Sequence, residues 1–151
     1  MPQIGFYHLT RLALDQALPR LLEKAVAAGL KVVVMAGSSE RVEHLNGLLW
    51  TYNEESWLPH GAASDGEAAL QPVWLTDADE NPNGATVLVL CDGVTPADVG
   101  AYARCLDLFD GRDDEAVQAA RQRWKTWKAA GHELVYYQQT ERGGWEEKAR
   151  A

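Results

Sequence analysis

The chain is 151 residues long, with 46% hydrophobic and 24% charged residues. These proportions are typical of one globular domain with a buried core, and they exclude a disordered chain, a collagen-like fibre and a coiled coil. With 14 Lys+Arg against 22 Asp+Glu, the formal net charge is -8. Because such a chain repels the phosphate backbone, wrapping of bulk DNA or RNA is not expected.

The first residues and the cysteines predict a cytoplasmic protein. The chain starts without the basic residues and the apolar run of a secretory signal. No stretch approaches the roughly 18 apolar residues that cross a bilayer, so no membrane contact is expected. The two cysteines, Cys91 and Cys105, form no CxxC pair and fall in strand and helix patterns, which favours buried, unreactive thiols.

The first 50 residues alternate between strand and helix patterns. A short apolar run predicts a strand over 4–9, and apolar residues spaced for one helical face predict a helix over 15–29. The β-branched run 31–36 is typical of a strand that is buried on both faces. A pair of serines is suited to cap the next helix, which is predicted over 40–50.

The rest of the chain continues this alternation after a long irregular segment over 51–71. Apolar runs predict further strands, and turn residues and caps separate them from two more helices. The predicted elements are strands over 72–76, 86–91, 106–110 and 133–138, a helix from Thr95 to about Leu106, and a helix from Asp113 to Gly131. The charged, glycine-containing segment 141–151 is expected to be a flexible tail, which leaves residues 1–140 as a single domain.

This order of elements predicts an α/β domain with a mostly parallel sheet, because continuously apolar strands alternate with helices. Such folds often bind nucleotides, but the loop after the first strand contains no glycine and fits neither a GxGxxG nor a Walker motif. The best phosphate candidate is the turn Gly37-Ser38-Ser39 before a helix. A helix cap is the favoured interpretation of this turn, and a small nucleotide-dependent enzyme is the alternative.

Patterns for catalysis and for metal binding are also weak. The four histidines show no metal-ligand spacing, and the chain contains no GxSxG or HExxH motif. No catalytic residue, metal ligand or cofactor is therefore predicted. The histidines, interpreted as surface or strand-end residues, are His8, His44, His60 and His132.

The last predicted helix carries a basic segment within an acidic protein. Residues 121–128 contain four cations and no acid. At about 100° per residue, Ala120, Trp124 and Trp127 form one stripe, and a cationic stripe lies beside it. The cations of this neighbouring stripe are Arg121, Lys125 and Lys128.

Three interpretations of this helix are open. The simplest makes the tryptophans part of the core and the cations a solvated face, and it is favoured for Trp127. A row of cations beside the edge of Trp124 would also bind a peptide that is both acidic and hydrophobic. Single-stranded nucleic acid, with bases stacked on Trp124, is the third interpretation, and the net charge of -8 argues against it.

A second candidate for an exposed aromatic surface is the segment Trp57-Leu58-Pro59 in the long irregular stretch. A tryptophan in such a polar segment either fills the domain core or anchors a protein partner. Residue type alone does not separate these two roles.

Seven short motifs occur in order along nearly the whole chain. They are Phe6-Tyr7-His8-Leu9, Leu48-Leu49-Trp50-Thr51-Tyr52, Glu55-Ser56-Trp57-Leu58-Pro59-His60, Asn81-Pro82-Asn83-Gly84-Ala85, Leu106-Asp107-Leu108-Phe109-Asp110, Ala119-Ala120-Arg121-Gln122-Arg123-Trp124-Lys125 and Ala130-Gly131-His132-Glu133-Leu134. This ordered set resembles the chi subunit family of the bacterial DNA polymerase III holoenzyme, whose members are accessories of the clamp loader. The specificity of the resemblance comes from the whole set and not from any single motif.

The resemblance implies a Rossmann-like, three-layer α/β fold with helices on both faces of the sheet, without a nucleotide site and without enzymatic activity. It also implies two protein partners. One is the C-terminal tail of the single-stranded DNA-binding protein, an acidic segment that usually ends in Ile-Pro-Phe. The other is psi, which forms a 1:1 heterodimer with chi and connects it to the clamp loader. Whether a helicase takes the place of psi stays open.

Matching motifs assign the binding of the tail to the last helix. There Arg121 and Lys125 would hold carboxylates, and Trp124 would receive the final phenylalanine ring. The resemblance alone adds two apolar walls, and Lys128 is an extra expected contact. These two walls are Trp50 and Phe109.

The psi contact is assigned by resemblance to Trp57-Leu58-Pro59, because the family carries an aromatic residue there that packs on psi. This favours the role of partner anchor for Trp57. The expected function is therefore that of a non-enzymatic adaptor between two proteins. A nucleotide-dependent enzyme and a direct binder of single-stranded DNA are the alternatives.

Overall fold

The computed structural model describes residues 3–10, 14–51, 60–62, 67–142 and 144–151. Within these ranges the chain forms three α-helices and eight β-strands. Their order is β1 (Gln3–Leu9), α1 (Leu14–Ala27), β2 (Val32–Met35), α2 (Ser39–Thr51), β3 (Gly61–Ala62), β4 (Val73–Thr76), β5 (Val87–Leu90), β6 (Arg104–Asp110), α3 (Asp114–Ala129), β7 (Glu133–Gln139) and β8 (Trp145–Arg150). Two 3-10 turns, Ala68–Leu70 and Val99–Ala101, lie between strands.

The strands form one sheet in the order β3-β4-β2-β5-β6-β1-β7-β8. Neighbouring strands run parallel, with the exception of β7 and β8. Apolar side chains of α1 and α2 pack on one face of the sheet, and those of α3 pack on the other. The predicted three-layer, Rossmann-like α/β architecture is confirmed.

The two apolar layers follow from the composition of the central strands. Every residue of β2 and β5 is buried, because a parallel strand that is covered on both faces needs apolar side chains on both. Val32 and Val34 point into the layer of α1 and α2, whereas Val33 and Met35 point into the layer of α3. On that second face, α3 packs across β6 and β7.

The predicted helix over 95–106 is wrong. The chain makes a 3-10 turn at Val99–Ala101 with extended backbone on both sides. Gly100 within that turn disfavours a helix, and the Asp98 carboxylate accepts its N–H. Residues 104–110 pair with β1, and residues 104–107 also pair with β5, so strand pairing in the centre of the sheet overrides the local helical spacing.

The segment 141–151, expected to be a flexible tail, instead contributes β8 to the sheet. Strand β8 pairs antiparallel with β7, and backbone hydrogen bonds of 2.8 and 3.0 Å join Leu134 to Ala151. The Trp145 ring packs edge-on against Tyr7, with the ring centroids 5.0 Å apart. The strand is charged and mostly exposed, as suits a sheet edge, so its residues carry no apolar pattern that would predict it.

Candidate functional site

Helix α3 begins at a strong N-terminal cap. The Asp113 carboxylate accepts the backbone N–H groups of Glu115 and Ala116. Acidic side chains fill the first turn, where they interact favourably with the positive end of the helix dipole. The cap fixes where the helix Asp114–Ala129 starts.

The two predicted stripes of α3 are confirmed. Ala120 and Trp127 are 4% and 8% exposed and belong to the core. Trp124 is half-buried, so it lies at the border between the core stripe and solvent. The exposed cations of the neighbouring stripe are Arg121, Lys125 and Lys128. One aromatic edge therefore lies beside a row of accessible positive charges.

A groove of about 510 Å³ lies between α3 and the strands that it covers. Its floor is aromatic, with Phe6 from β1, Phe109 from β6 and Tyr136 from β7. The Trp124 ring contacts this floor, with its centroid 5.4 Å from that of Phe6 and 6.4 Å from that of Tyr136. The other lining residues are Val117, Ala120, Arg121, Lys125, Lys148 and Ala149. The groove thus combines apolar rings with cations.

Strand pairing explains how the floor forms. Phe6 and Tyr136 are direct partners in the parallel register of β1 and β7, and such partners point to the same face of a sheet. Sequence reasoning missed both residues. Alternation shows which residues of one strand share a face, but it does not give the order of strands in the sheet.

Tyr136 is held in place by His8. The His8 Nδ1 atom hydrogen-bonds to the Tyr136 hydroxyl, and the His8 ring lies 5.2 Å from that of Phe109. Burial lowers the pKa of His8, although a backbone hydrogen bond to Gly111 and the charge of Asp110 oppose that shift. The contact provides a hydrogen-bond partner for the Tyr136 hydroxyl, while the Tyr136 ring lines the groove.

Arg123, the fourth cation of the basic segment, does not belong to the exposed row. Its Nε and Nη2 atoms donate to the two carboxylate oxygens of Asp107 at 2.6 and 2.9 Å, and both side chains are largely buried. Burial raises the pKa of Asp107, and the hydrogen bonds and charge of Arg123 act against that rise. The accessible charge of the segment is therefore three cations, and none of these pairs with a carboxylate among the residues that the structure describes.

The structure brings four predicted tail-site residues together in the groove: Phe109, Arg121, Trp124 and Lys125. Lys128 is exposed on the same helix, about one turn beyond Lys125, and is not a lining residue. The residues predicted to contact psi, Trp57, Leu58 and Pro59, lie outside the described residues.

The predicted role of Trp50 as a wall of this site is wrong. Trp50 lies on α2, whose apolar residues pack on the face of the sheet opposite to α3. Its side chain is 54% exposed, and its ring lies 4.6 Å from that of His60. Because the whole sheet separates Trp50 from the groove, the two belong to different surfaces.

Polar groups of the turn Gly37-Ser38-Ser39 form hydrogen bonds with other groups of the chain. The Gly37 N–H donates to the Asp92 carboxylate at 3.0 Å, and Asp92 also accepts from Arg41 Nε at 3.2 Å. The Ser38 hydroxyl accepts the Arg41 N–H, as a helix-capping side chain does. A carboxylate takes the position that a phosphate would need, so the geometry favours the helix-cap interpretation.

The thiols fit the prediction of buried, unreactive cysteines. Burial raises the pKa of both Cys91 and Cys105, which keeps them as weakly nucleophilic thiols. In the ranges that the structure describes, no three His, Cys, Asp or Glu side chains gather as ligands of a metal ion. No helix in those ranges has the length and apolar character needed to cross a membrane.

Comparison with known proteins gives the family. The profile of the family described as DNA polymerase III chi subunit, HolC, matches residues 1–135. The chain belongs to this family. The chi family match includes the whole of α3 and the floor residues Phe6 and Phe109, whereas Tyr136 and β8 lie beyond it.

Three proteins named as chi subunits are similar to the chain. A probable DNA polymerase III subunit chi of Rickettsia prowazekii (strain Madrid E) is 36% identical over 99 residues, which cover 66% of this chain and 58% of that protein. The DNA polymerase III subunit chi of Pseudomonas aeruginosa is 28% identical over 116 residues, covering 76% and 79%. That of Escherichia coli (strain K12) is 24% identical over 123 residues, covering 81% and 83%. The chain thus spans less than two thirds of the length of the Rickettsia protein.

Proposed function

We propose that the chain is a non-enzymatic accessory subunit of DNA polymerase III that acts as an adaptor. In this role the groove beside α3 binds the acidic C-terminal tail of the single-stranded DNA-binding protein. A second surface, on the other side of the sheet, binds psi and so connects the chain to the clamp loader. The observation that carries the proposal is the groove itself, in which an aromatic floor meets accessible cations.

The chemistry of the groove suits a peptide with an acidic stretch and an apolar end. Arg121 and Lys125 can hold the terminal carboxylate and the preceding aspartates, since charge-assisted hydrogen bonds are the stronger ones. The final phenylalanine ring would lie in the groove against Trp124 and Tyr136, which are both half-buried. The volume of about 510 Å³ falls within the roughly 300–1,000 Å³ that is typical of sites for small ligands.

Two other functions receive less support. Direct binding of single-stranded DNA would rely on three accessible cations of α3 against a net charge of -8, which repels phosphate. A nucleotide-dependent enzyme would use the Gly37 turn, where the Asp92 carboxylate already accepts the backbone N–H. It would also leave the aromatic groove without a role.

The second surface is centred on Trp50. Its indole is 54% exposed, and a large aromatic side chain of this kind commonly anchors a protein partner. Trp50 shortly precedes the segment Trp57-Leu58-Pro59 in the chain. We assign Trp50 to the psi-binding surface, and a helicase in place of psi would use the same surface. The resemblance adds Trp57-Leu58-Pro59 as further residues that contact psi.

Titration of the protein into a fluorescent peptide of the acidic tail, ending in Ile-Pro-Phe, tests the proposal. The same peptide with an amidated C-terminus and a labelled single strand of DNA serve as comparisons. The free-acid peptide is expected to bind more tightly than the amidated one, because amidation removes the terminal carboxylate that Arg121 and Lys125 would hold, and the DNA strand is not expected to bind. A response from DNA with none from either peptide would overturn the adaptor function.

Removal of either groove cation should weaken tail binding and leave the fold intact. Arg121→Ala or Lys125→Ala is expected to lower the affinity by about two- to fivefold, since an exposed ion pair contributes about 0.2–1 kcal/mol. Lys128→Ala, on the same helix but outside the groove, is the matched control with a smaller expected effect. Trp50→Ala, on the opposite face, should bind the tail like the parent. Unchanged affinity in either Arg121→Ala or Lys125→Ala would contradict the assignment.

A further inference from the structure

Strand β8 carries an irregularity where it passes the groove. Tyr137 pairs with Glu147 and Tyr136 pairs with Ala149, so Lys148 is an extra residue between two register positions. A bulge of this kind departs from simple alternation and can re-aim a side chain towards a binding site. Here two consecutive residues, Lys148 and Ala149, line the groove.

The neighbouring side chains show the effect of the bulge. Trp145 and Tyr137 lie on the opposite face of the sheet, where both rings contact Tyr7. Regular alternation from Trp145 would place Ala149 on that face as well. With the extra residue, Ala149 instead pairs with Tyr136, whose ring forms part of the groove floor.

We infer that β8 forms a second wall of the tail-binding groove, in which Lys148 is a cation that contacts the acidic residues of the tail. This inference rests on the proposed function. It adds a positive charge on a different element from Arg121 and Lys125, which both belong to α3. An acidic segment between the two walls meets cations from both, which restricts the path that its backbone can follow.

Glu146 competes with the peptide for the same ammonium group. Its carboxylate lies 3.4 Å from Lys148 Nζ, and both side chains are exposed. An exposed pair of this kind is weak, so the carboxylates of a bound peptide can displace it. Glu146 therefore positions Lys148 in the free protein and, by adding negative charge at the rim, lowers the affinity for an acidic peptide.

The second wall lies outside the part of the chain that matches the family. The chi profile matches residues 1–135, whereas β8 begins at Trp145. The cations of α3 lie within the matched part. A contact between Lys148 and the peptide therefore depends on strand β8 of this chain.

Variants that replace a charged side chain by a neutral one test whether β8 contributes to binding. Each variant is titrated against the fluorescent tail peptide. Lys148→Gln is expected to lower the affinity by about two- to fivefold, and Glu146→Gln to raise it by up to about twofold. Lys24→Gln, at an exposed lysine of α1 on the opposite face of the sheet, is the matched control and should bind like the parent. A peptide with asparagine in place of its aspartates should bind the parent and Lys148→Gln equally, because the lost contact is with an acid.

The outcomes separate this inference from the function on which it rests. If Arg121→Ala weakens binding but Lys148→Gln binds like the parent, the second wall is overturned and the adaptor function stands. If the parent protein itself does not bind the peptide, the proposed function as an adaptor is overturned. The backbone amide of Ala149 gives an independent readout by NMR. Its chemical shift should change when the peptide is added, and an unchanged shift would also overturn the second wall.

Discussion

Replacement of Trp124 by alanine is expected to reduce the affinity for the tail peptide by about 10- to 150-fold. Burial of a phenylalanine-sized side chain contributes about 1.5–3 kcal/mol, and about 1.4 kcal/mol corresponds to a tenfold change in an equilibrium constant. The Trp124 ring stands over the floor formed by Phe6 and Tyr136. Without the indole, the final ring of the peptide would lose one side of its pocket.

A double-mutant cycle distinguishes a direct ring contact from an indirect effect. Its second leg replaces the last residue of the peptide by alanine. If the two rings touch, this peptide change weakens binding to the parent strongly and binding to Trp124→Ala little, with a coupling energy of about 0.5–3 kcal/mol. Additive losses would contradict the contact.

Two protein controls complete this experiment. Trp124→Phe keeps an aromatic ring in place and should retain most of the affinity. Val89→Ala removes methyl groups from a buried residue in the layer of α1 and α2, so it lowers stability without touching the groove. Calorimetric titration gives the affinities, and the melting temperature shows which variants remain folded. If Val89→Ala also binds the peptide weakly, the loss of affinity in Trp124→Ala is explained by lower stability and not by a lost contact.

The parts of the site that lie on a single element are predictable from the sequence. The stripes of α3 depend only on the helix period, which places Arg121 and Lys125 on one side and Trp127 on another. The central strands are predictable for a similar reason, because burial on both faces demands the continuous apolar composition of β2 and β5.

Features that join distant segments are not predictable in this way. The floor of the groove combines β1, β6 and β7, and nothing local gives their order in the sheet. Trp50 shows the consequence, since the resemblance offered it as a wall and the topology places it behind the sheet. Strand β8 was missed because backbone pairing holds it at the edge, where an apolar pattern is not required.

The ion pair between Asp107 and Arg123 is another such long-range feature, and its loss should be severe. Asp107→Ala is expected to destabilise the fold by about 3–5 kcal/mol, because removing one partner of a buried pair leaves the other charge uncompensated. The two side chains are only 1% and 11% exposed, so water cannot readily replace the carboxylate. Urea unfolding of the parent and the variant measures the difference in the free energy of unfolding.

Asp110→Ala is the matched control for this prediction. Asp110 lies on the same strand and pairs with Arg112 at 3.1 Å, but both side chains are exposed. An exposed pair contributes about 0.2–1 kcal/mol, so the contrast between the two variants isolates the effect of burial. A loss of less than about 1 kcal/mol in Asp107→Ala would contradict the buried-pair account.

The double variant Asp107→Leu with Arg123→Met connects this ion pair to tail binding. Apolar replacement of both partners of a buried pair is often neutral or stabilising by about 1–4 kcal/mol, so the double variant should unfold later than Asp107→Ala. Because Arg123 does not line the groove, it should also bind the tail peptide like the parent. That result would show that Arg123 holds α3 against β6, and that the exposed cations bind the tail peptide. If the double variant is stable but does not bind the peptide, Arg123 contributes to binding of the tail.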